Sequence, residues 1–190
     1  MKIIHTGDFF IGIQNFGKIV PTSSGFSQID DYIDYFRKTP EEGNALFQDL
    51  LIGVTSFFRD PKAFTYIEEE IIPGLFNGKR EGSSIRIWVC GCSTGEEAYS
   101  FAILLSEYLE RIDTSYKIQI FATDIDPSSI KRAREGVFSP GIDKDISPTR
   151  LSRFFIREYD GNSYRIKKEI RDMLIFSEQD VIKDPPFSNL

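Results

Sequence analysis

The sequence is poor in the residues that most enzymes use for acid–base and metal chemistry. It has one histidine, His5, two cysteines and one tryptophan among 190 residues. A lone histidine in a segment without readable periodicity is more often structural or solvated than catalytic. Two cysteines spaced as Cys90-Gly91-Cys92 complete neither a metal cluster nor a disulfide framework, so they read as core and turn residues in a reducing compartment. Basic charge is also short: 23 Lys and Arg against 29 Asp and Glu leave a net charge of −6, which argues against nucleic acid as a partner. No basic segment precedes an apolar run at the N-terminus, and no stretch is long and apolar enough to span a bilayer. These absences point to a cytoplasmic protein that acts on small molecules or proteins without inserting into a membrane.

What is present is an ordinary globular composition, 41% hydrophobic and 27% charged, with an aromatic-rich core expected from 17 Phe and 8 Tyr. Residues 1–28 have no sustained period and are atypical. From Gln28 the pattern turns helical, with Ile29, Tyr32, Ile33 and Phe36 on one face. A second helix is expected to open at Thr39-Pro40-Glu41-Glu42, Glu42 closing a capping box on Thr39, and to stop near Gly53. A third starts at Asp60-Pro61 and ends at Pro73-Gly74. The polar stretch 77–84 reads as a joint, so the chain divides into a helical domain over 1–76, a linker over 77–84 and a second domain over 85–190.

Beyond the joint, strands alternate with helices: a strand at Ile85 to Cys90, a helix from Glu96 to about Arg111, a strand at Lys117 to Thr123, a helix from Pro127, and a strand at Met173 to Ser177. Two short helices, and a small strand near Tyr164-Arg165-Ile166, are expected between residues 137 and 172. The alternation predicts an α/β fold with a doubly wound, Rossmann-like sheet. A strand that enters a glycine-bearing turn and then a helix is a nucleotide-site pattern, in which Gly91 and Gly95 let backbone approach a ligand. Asp124, at the end of the next strand, suits a ribose, because a carboxylate accepts from both hydroxyls.

Glu96 and Glu97 discriminate further. A helix N-terminus ordinarily attracts phosphate, and two carboxylates there repel it. They suit a ligand that carries an ammonium and a sulfonium, as S-adenosylmethionine does. The competing reading is that Glu97 closes a capping box with Thr94, and the pattern alone leaves both open.

Three blocks carry a family resemblance. Gly53 to Pro61 (GVTSFFRDP), Gly91 to Ser100 (GCSTGEEAYS) and Ala122 to Asp126 (ATDID) are, in order and separation, similar to signatures of the CheR-type chemotaxis-receptor methyltransferases. The resemblance runs from about Ile29 to the C-terminus. It implies a helical domain before an S-adenosylmethionine-binding domain, and methyl transfer to glutamates on the cytoplasmic helices of chemotaxis receptors, with S-adenosylhomocysteine as product. It implies that Thr55 and Arg59 reach the cofactor, Arg59 beside the transferred methyl. Gly91 and Ser93 line the cofactor turn, Glu97 holds the methionine portion, Asp124 the ribose, and Asp180 and Val181 flank the adenine. The competing reading of Arg59 is a surface residue paired with Asp60 or a carboxylate nearby, and the block favours the functional one.

Two features depart from the family pattern. Residues 1–60 carry five basic against eight acidic side chains, where the family presents a basic helix to acidic receptors. The chain also ends at Leu190, where the family continues into a fourth strand. That ending leads to the expectation of an incomplete sheet, an exposed strand edge at Ile85 to Cys90 and self-association through it. The alternative function is a non-catalytic module that binds S-adenosylmethionine, S-adenosylhomocysteine or a protein.

Overall fold

The computed structural model describes residues 29–51, 53–159, 161–188 and 190. His5 and the atypical segment 1–28 lie outside the described residues. The chain forms two compact units, one holding the first two helices and the other running from Gly53 to Leu190. That boundary precedes the joint read at 77–84. The reason is aromatic: Phe57, Phe58, Phe64 and Phe76 are buried in the same hydrophobic cluster as Ile85 and Val89 of the first strand.

In the first unit, α1 (Ile29–Lys38) and α2 (Glu42–Leu50) are short amphipathic helices. Tyr32 is buried, whereas Ile33 and Phe36, expected on the same covered face, are exposed. The capping box at Glu42 does not form, because Glu42 Oε1 accepts from the Tyr32 hydroxyl at 2.9 Å and α2 starts at Glu42 itself.

The second unit opens with α3 (Pro61–Tyr66), capped by Asp60, whose carboxylate accepts from the Lys62 and Ala63 N–H groups at 3.2 Å. The helix does not stop at Pro73. A π turn over Ile67–Ile71 carries it into α4 (Ile72–Phe76), with the Ile72 N–H donating to the Ile67 carbonyl. The extra residue in that turn shifts the ladder just ahead of Pro73, which has no N–H to give.

Three parallel strands follow: β1 (Ser84–Cys90), β2 (Lys117–Asp124) and β6 (Leu174–Glu178), in the spatial order β1-β2-β6. The long helix α5 (Glu96–Ile112) connects the first two, and α6 (Pro127–Glu135) leaves the second. Both pack on the sheet face that carries Val89, Ile120, Ala122 and Phe176. The opposite face, with Trp88 and Phe121, is covered by Phe187, which stacks on Phe121 at 4.6 Å and meets Trp88 edge-on at 5.3 Å. The mixed α/β architecture with a parallel sheet is the partial Rossmann-like domain that the alternation implied.

Between β2 and β6 the chain builds a second sheet that the sequence hinted at only near 164–166. It is antiparallel, ordered β3 (Val137–Phe138), β5 (Tyr164–Ile166), β4 (Phe155–Arg157). A 3₁₀ turn (Pro140–Lys144) and α7 (Pro148–Phe154) lie between its first two strands, and α8 (Lys168–Arg171) leads into β6. Strands of two and three residues are too short to show an alternating pattern, so this sheet has no periodicity to read.

Candidate cofactor site

The site lies where the three parallel strands end. Cys90 is paired in register with Thr123, and Asp124 with Glu178, so the carboxyl ends of β1, β2 and β6 lie side by side. Doubly wound sheets bind ligands at this end. The turn after β1 is held to β2 by backbone and side chain together. The Cys92 N–H donates to the Thr123 carbonyl at 2.9 Å, and the Ser93 N–H donates to Asp124 Oδ2 at 2.7 Å. The other carboxylate oxygen of Asp124, Oδ1, accepts from the Asp126 N–H at 2.9 Å. Asp124 therefore ties two turns together, and each oxygen keeps a lone pair for a further donor.

The two glycines of the first turn serve different ends. Gly91 has φ +67°, and a Cβ there would meet nothing within 4 Å, so its backbone borders open space. Gly95 has φ +98° and is the N-cap of α5. A Cβ on it would lie 3.1 Å from Ala133, 3.2 Å from Tyr99 and 3.3 Å from Phe176. Gly95 is thus a packing glycine that lets α5 sit close to α6 and β6, and of the two only Gly91 borders open space.

The capping box between Thr94 and Glu97 is absent. The Thr94 hydroxyl donates instead to Glu96 Oε2 at 2.6 Å, and Gly95 in a left-handed conformation displaces Thr94 from the cap. Glu97, half-buried, has no hydrogen bond or ion pair among the described residues. Its field reaches Cys90, whose thiol is pushed up by burial and then by Glu97. Cys92 is pushed further up by burial, then Asp124, with smaller contributions from Glu97 and Glu96. Glu96 itself is raised, by burial first, with the Thr94 hydrogen bond opposing. Three carboxylates, those of Asp124, Glu96 and Glu97, thus act on the turn at Cys92.

The segment 53–59 lies against this turn at two points. The Ser93 hydroxyl is 3.5 Å from the Gly53 carbonyl, and the Phe58 N–H donates to Ser100 Oγ at 3.1 Å. Ser100 in turn donates to the Glu96 carbonyl at 2.7 Å. Ser100 is fully buried and was missed in the sequence because a serine inside an apolar helix face carries no periodic signal. Thr55 is half-buried on this segment. Arg59 is exposed and does not pair with Asp60: its Nη1 donates to the Val54 carbonyl at 2.9 Å, which closes the segment on itself, while Asp60 is occupied as a cap.

Asp180 and Val181 follow β6. The Gln179 N–H donates to the Asp124 carbonyl at 2.9 Å and so brings the start of this turn to the same strand ends. Asp180 accepts from Ile182 and Lys183 N–H groups and pairs with Lys183 at 3.0 Å, interactions that hold its carboxyl below the usual carboxylate range, the Lys183 side chain foremost. Val181 is half exposed. A cleft of about 210 Å³ beside Glu96, lined also by Arg132, Glu135 and Phe138, borders the turn. A wider one of about 400 Å³ lies at the far end of α5 around Leu109 and Asp113, away from the strand ends. The strand ends carry the charge pattern and the open glycine, so they define the site.

Comparison with known proteins agrees with this geometry. Residues 53–190 match the model of the CheR methyltransferase, SAM binding domain. The chain is 33% identical over 172 residues to a chemotaxis protein methyltransferase of Borreliella burgdorferi, an alignment that covers 86% of this chain and 59% of that protein. It is 34% identical over 146 residues to chemotaxis protein methyltransferase 2 of Vibrio cholerae, covering 75% and 49%. It is also 38% identical over 169 residues to an uncharacterized 104.1 kDa protein of Rhodobacter capsulatus, covering 87% of this chain and 18% of that one. The chain thus spans about half the length of the chemotaxis methyltransferases it matches.

Proposed function

The chain belongs to the CheR methyltransferase family, by its S-adenosylmethionine-binding domain, and we propose that it binds S-adenosylmethionine at the carboxyl ends of β1, β2 and β6 for methyl transfer to receptor glutamates. The observation that carries this reading is the placement of three carboxylates at the turn around Cys92, Asp124 at the end of β2 and Glu96 and Glu97 in the first turn of α5. A helix N-terminus dressed with carboxylates is ill suited to a dinucleotide and well suited to an ammonium and a sulfonium.

The residues fit the group. Glu97, without a partner among the described residues, would take the methionine ammonium. Asp124 would accept from the ribose with the lone pairs its two backbone contacts leave. Gly91 and Ser93 would line the turn, Thr55 and Arg59 would face it from the segment above, and Asp180 and Val181 would flank the adenine. Once bound, S-adenosylmethionine supplies the electrophilic methyl. The acceptor is a carboxylate already ionised near neutral pH, since a glutamate titrates near 4.3 in water, so the protein has no proton to remove. Its work is to hold and orient, and to keep water from the attacking oxygen. That is consistent with a sequence whose single histidine is His5. The cytoplasmic helices of chemotaxis receptors are the proposed partner and the cytoplasm the proposed location; among the described residues no helix is long and apolar enough to cross a membrane.

Two measurements test the reading. Calorimetric titration of the chain with S-adenosylhomocysteine should show one site per chain that Glu97→Gln weakens. Transfer of labelled methyl from S-adenosylmethionine to receptor-containing membranes reports the substrate. Saturable binding without any transfer would assign the chain to the non-catalytic alternative, and absence of binding would remove the cofactor assignment.

A further inference from the structure

Arg150 is the most heavily engaged cation of the described residues. Its guanidinium sits 4.7 Å from the centre of the Phe58 ring, where a cation meets the negative face of the aromatic. The same guanidinium is fixed by Glu107 of α5, with Nε 3.0 Å from Oε1 and Nη2 2.7 Å from Oε2, and by Glu68 of the π turn at 3.2 Å. Glu68 is half-buried in this contact, whereas Glu69 and Glu70 beside it are exposed. Phe58 needs such support. It has φ +50°, a left-handed conformation that bulky residues rarely adopt, and it immediately precedes Arg59. On its backbone side the N–H is held by Ser100, and on its ring side Phe64 meets it edge-on at 5.3 Å. Arg150 and Phe64 thus hold a ring whose backbone conformation decides where the next residue points.

We propose that Arg150 is a positioning residue: by clamping Phe58 from α7 it sets the segment 53–59, and with it Thr55 and Arg59, against the cofactor turn. This rests on the reading of Thr55 and Arg59 as cofactor-side residues. Methionine at this position keeps the apolar stem and removes the charge, the plane and all four hydrogen bonds to the Glu107 and Glu68 carboxylates. Lysine keeps the charge but neither the planar stacking nor the forked pairing with Glu107.

The test compares the 190-residue chain with Arg150→Met, Arg150→Lys, Arg59→Ala and the Arg150→Met/Arg59→Ala double variant, by amide hydrogen exchange and by titration with S-adenosylhomocysteine. Arg150→Met is expected to speed exchange of the amides of residues 56–59 roughly tenfold, with the amides of β1 and β2 unchanged. It is expected to weaken binding roughly tenfold, with Arg150→Lys in between, and to have a smaller further effect once Arg59 is alanine, the remainder acting through Thr55. Exchange that rises equally in the sheet and in the segment, or in neither, overturns the proposal, the first because Arg150 would then serve only global stability. Unchanged binding in Arg59→Ala overturns the reading of Arg59 and leaves the clamp to be decided by the exchange rates alone.

Discussion

Asp124→Ala is expected to lose stability and cofactor affinity together, whereas Glu97→Gln should lose affinity only. The magnitude for Asp124 follows from its two contacts. Oδ2 accepts from the Ser93 N–H at 2.7 Å and Oδ1 from the Asp126 N–H at 2.9 Å. Hydrogen bonds to a charged acceptor contribute about 1.5–3 kcal/mol each. The side chain is half-exposed and water replaces part of what is lost, so the lower value applies to each, about 3 kcal/mol in all. For a chain of this size that lowers the melting temperature by about 6–12 °C. Asp124→Asn retains one acceptor and turns an amide donor toward the other N–H, so at least half of that loss should remain. Glu97 has no hydrogen-bonded partner among the described residues, and its substitution should move stability by no more than about 0.5 kcal/mol. Urea unfolding at constant m-value and calorimetry with S-adenosylhomocysteine should be run on the same preparations. An Asp124→Ala protein that melts like wild type would refute the tie between the two turns. One that melts early yet binds normally would refute the ribose assignment.

Three further outcomes are expected. Arg59→Ala should lower binding of S-adenosylhomocysteine by about tenfold or more while moving the melting temperature by under about 2 °C, because its one hydrogen bond among the described residues is an exposed one to the Val54 carbonyl; a large loss of stability with proportionate loss of binding would make Arg59 structural. Asp126→Ala should cost about 1 kcal/mol, since its carboxylate caps α6 through the Ser128 and Ser129 N–H groups. Those bonds outweigh burial and hold its carboxyl below the usual range, so the contribution is present above about pH 4 and fades as pH falls through the folded value; a urea series from pH 7 to pH 3 should show wild type and variant converging. On the alkaline side, Cys92 is held protonated while an unfolded thiol titrates near 9. The folded state then binds more protons, stability falls as pH rises, and on the order of 1 kcal/mol should be lost by pH 10 relative to Cys92→Ala, the two following the same pH curve if the thiol is not in fact protected.

Much of the second unit was legible because its elements are long and punctuated. The run Ile85 to Cys90 carries its buried residues, Ile85 and Val89, on one face, Pro127 opens α6 behind an Asp126 cap, and Gly136 ends it in a left-handed conformation. What was illegible was short or compensated. The antiparallel sheet is built from strands of two and three residues, which present no period. Pro73 looked like a helix stop and is not one, because a π turn upstream removes the need for its missing N–H. Likewise the joint at 77–84 looked like a domain boundary by composition, but burial of Phe57, Phe58, Phe64 and Phe76 with the sheet carries the compact unit back to Gly53.

For the site, the residue types were legible and their bonding was not. Thr94-Gly95-Glu96-Glu97 offers two carboxylates to one threonine, and spacing alone favours Glu97 as its partner. The deciding fact is the left-handed Gly95, which lets Ala133, Tyr99 and Phe176 pack within 3.3 Å of where a Cβ would be and takes the cap position itself. Thr94 then reaches only Glu96, at 2.6 Å. The close packing of α5 on α6 and β6 therefore has an electrostatic result: one glutamate is engaged by the turn and the other is left without a hydrogen-bonded partner among the described residues. A bulkier residue at position 95 would push α5 off the sheet and return Thr94 to the cap, where Glu97 could close on it.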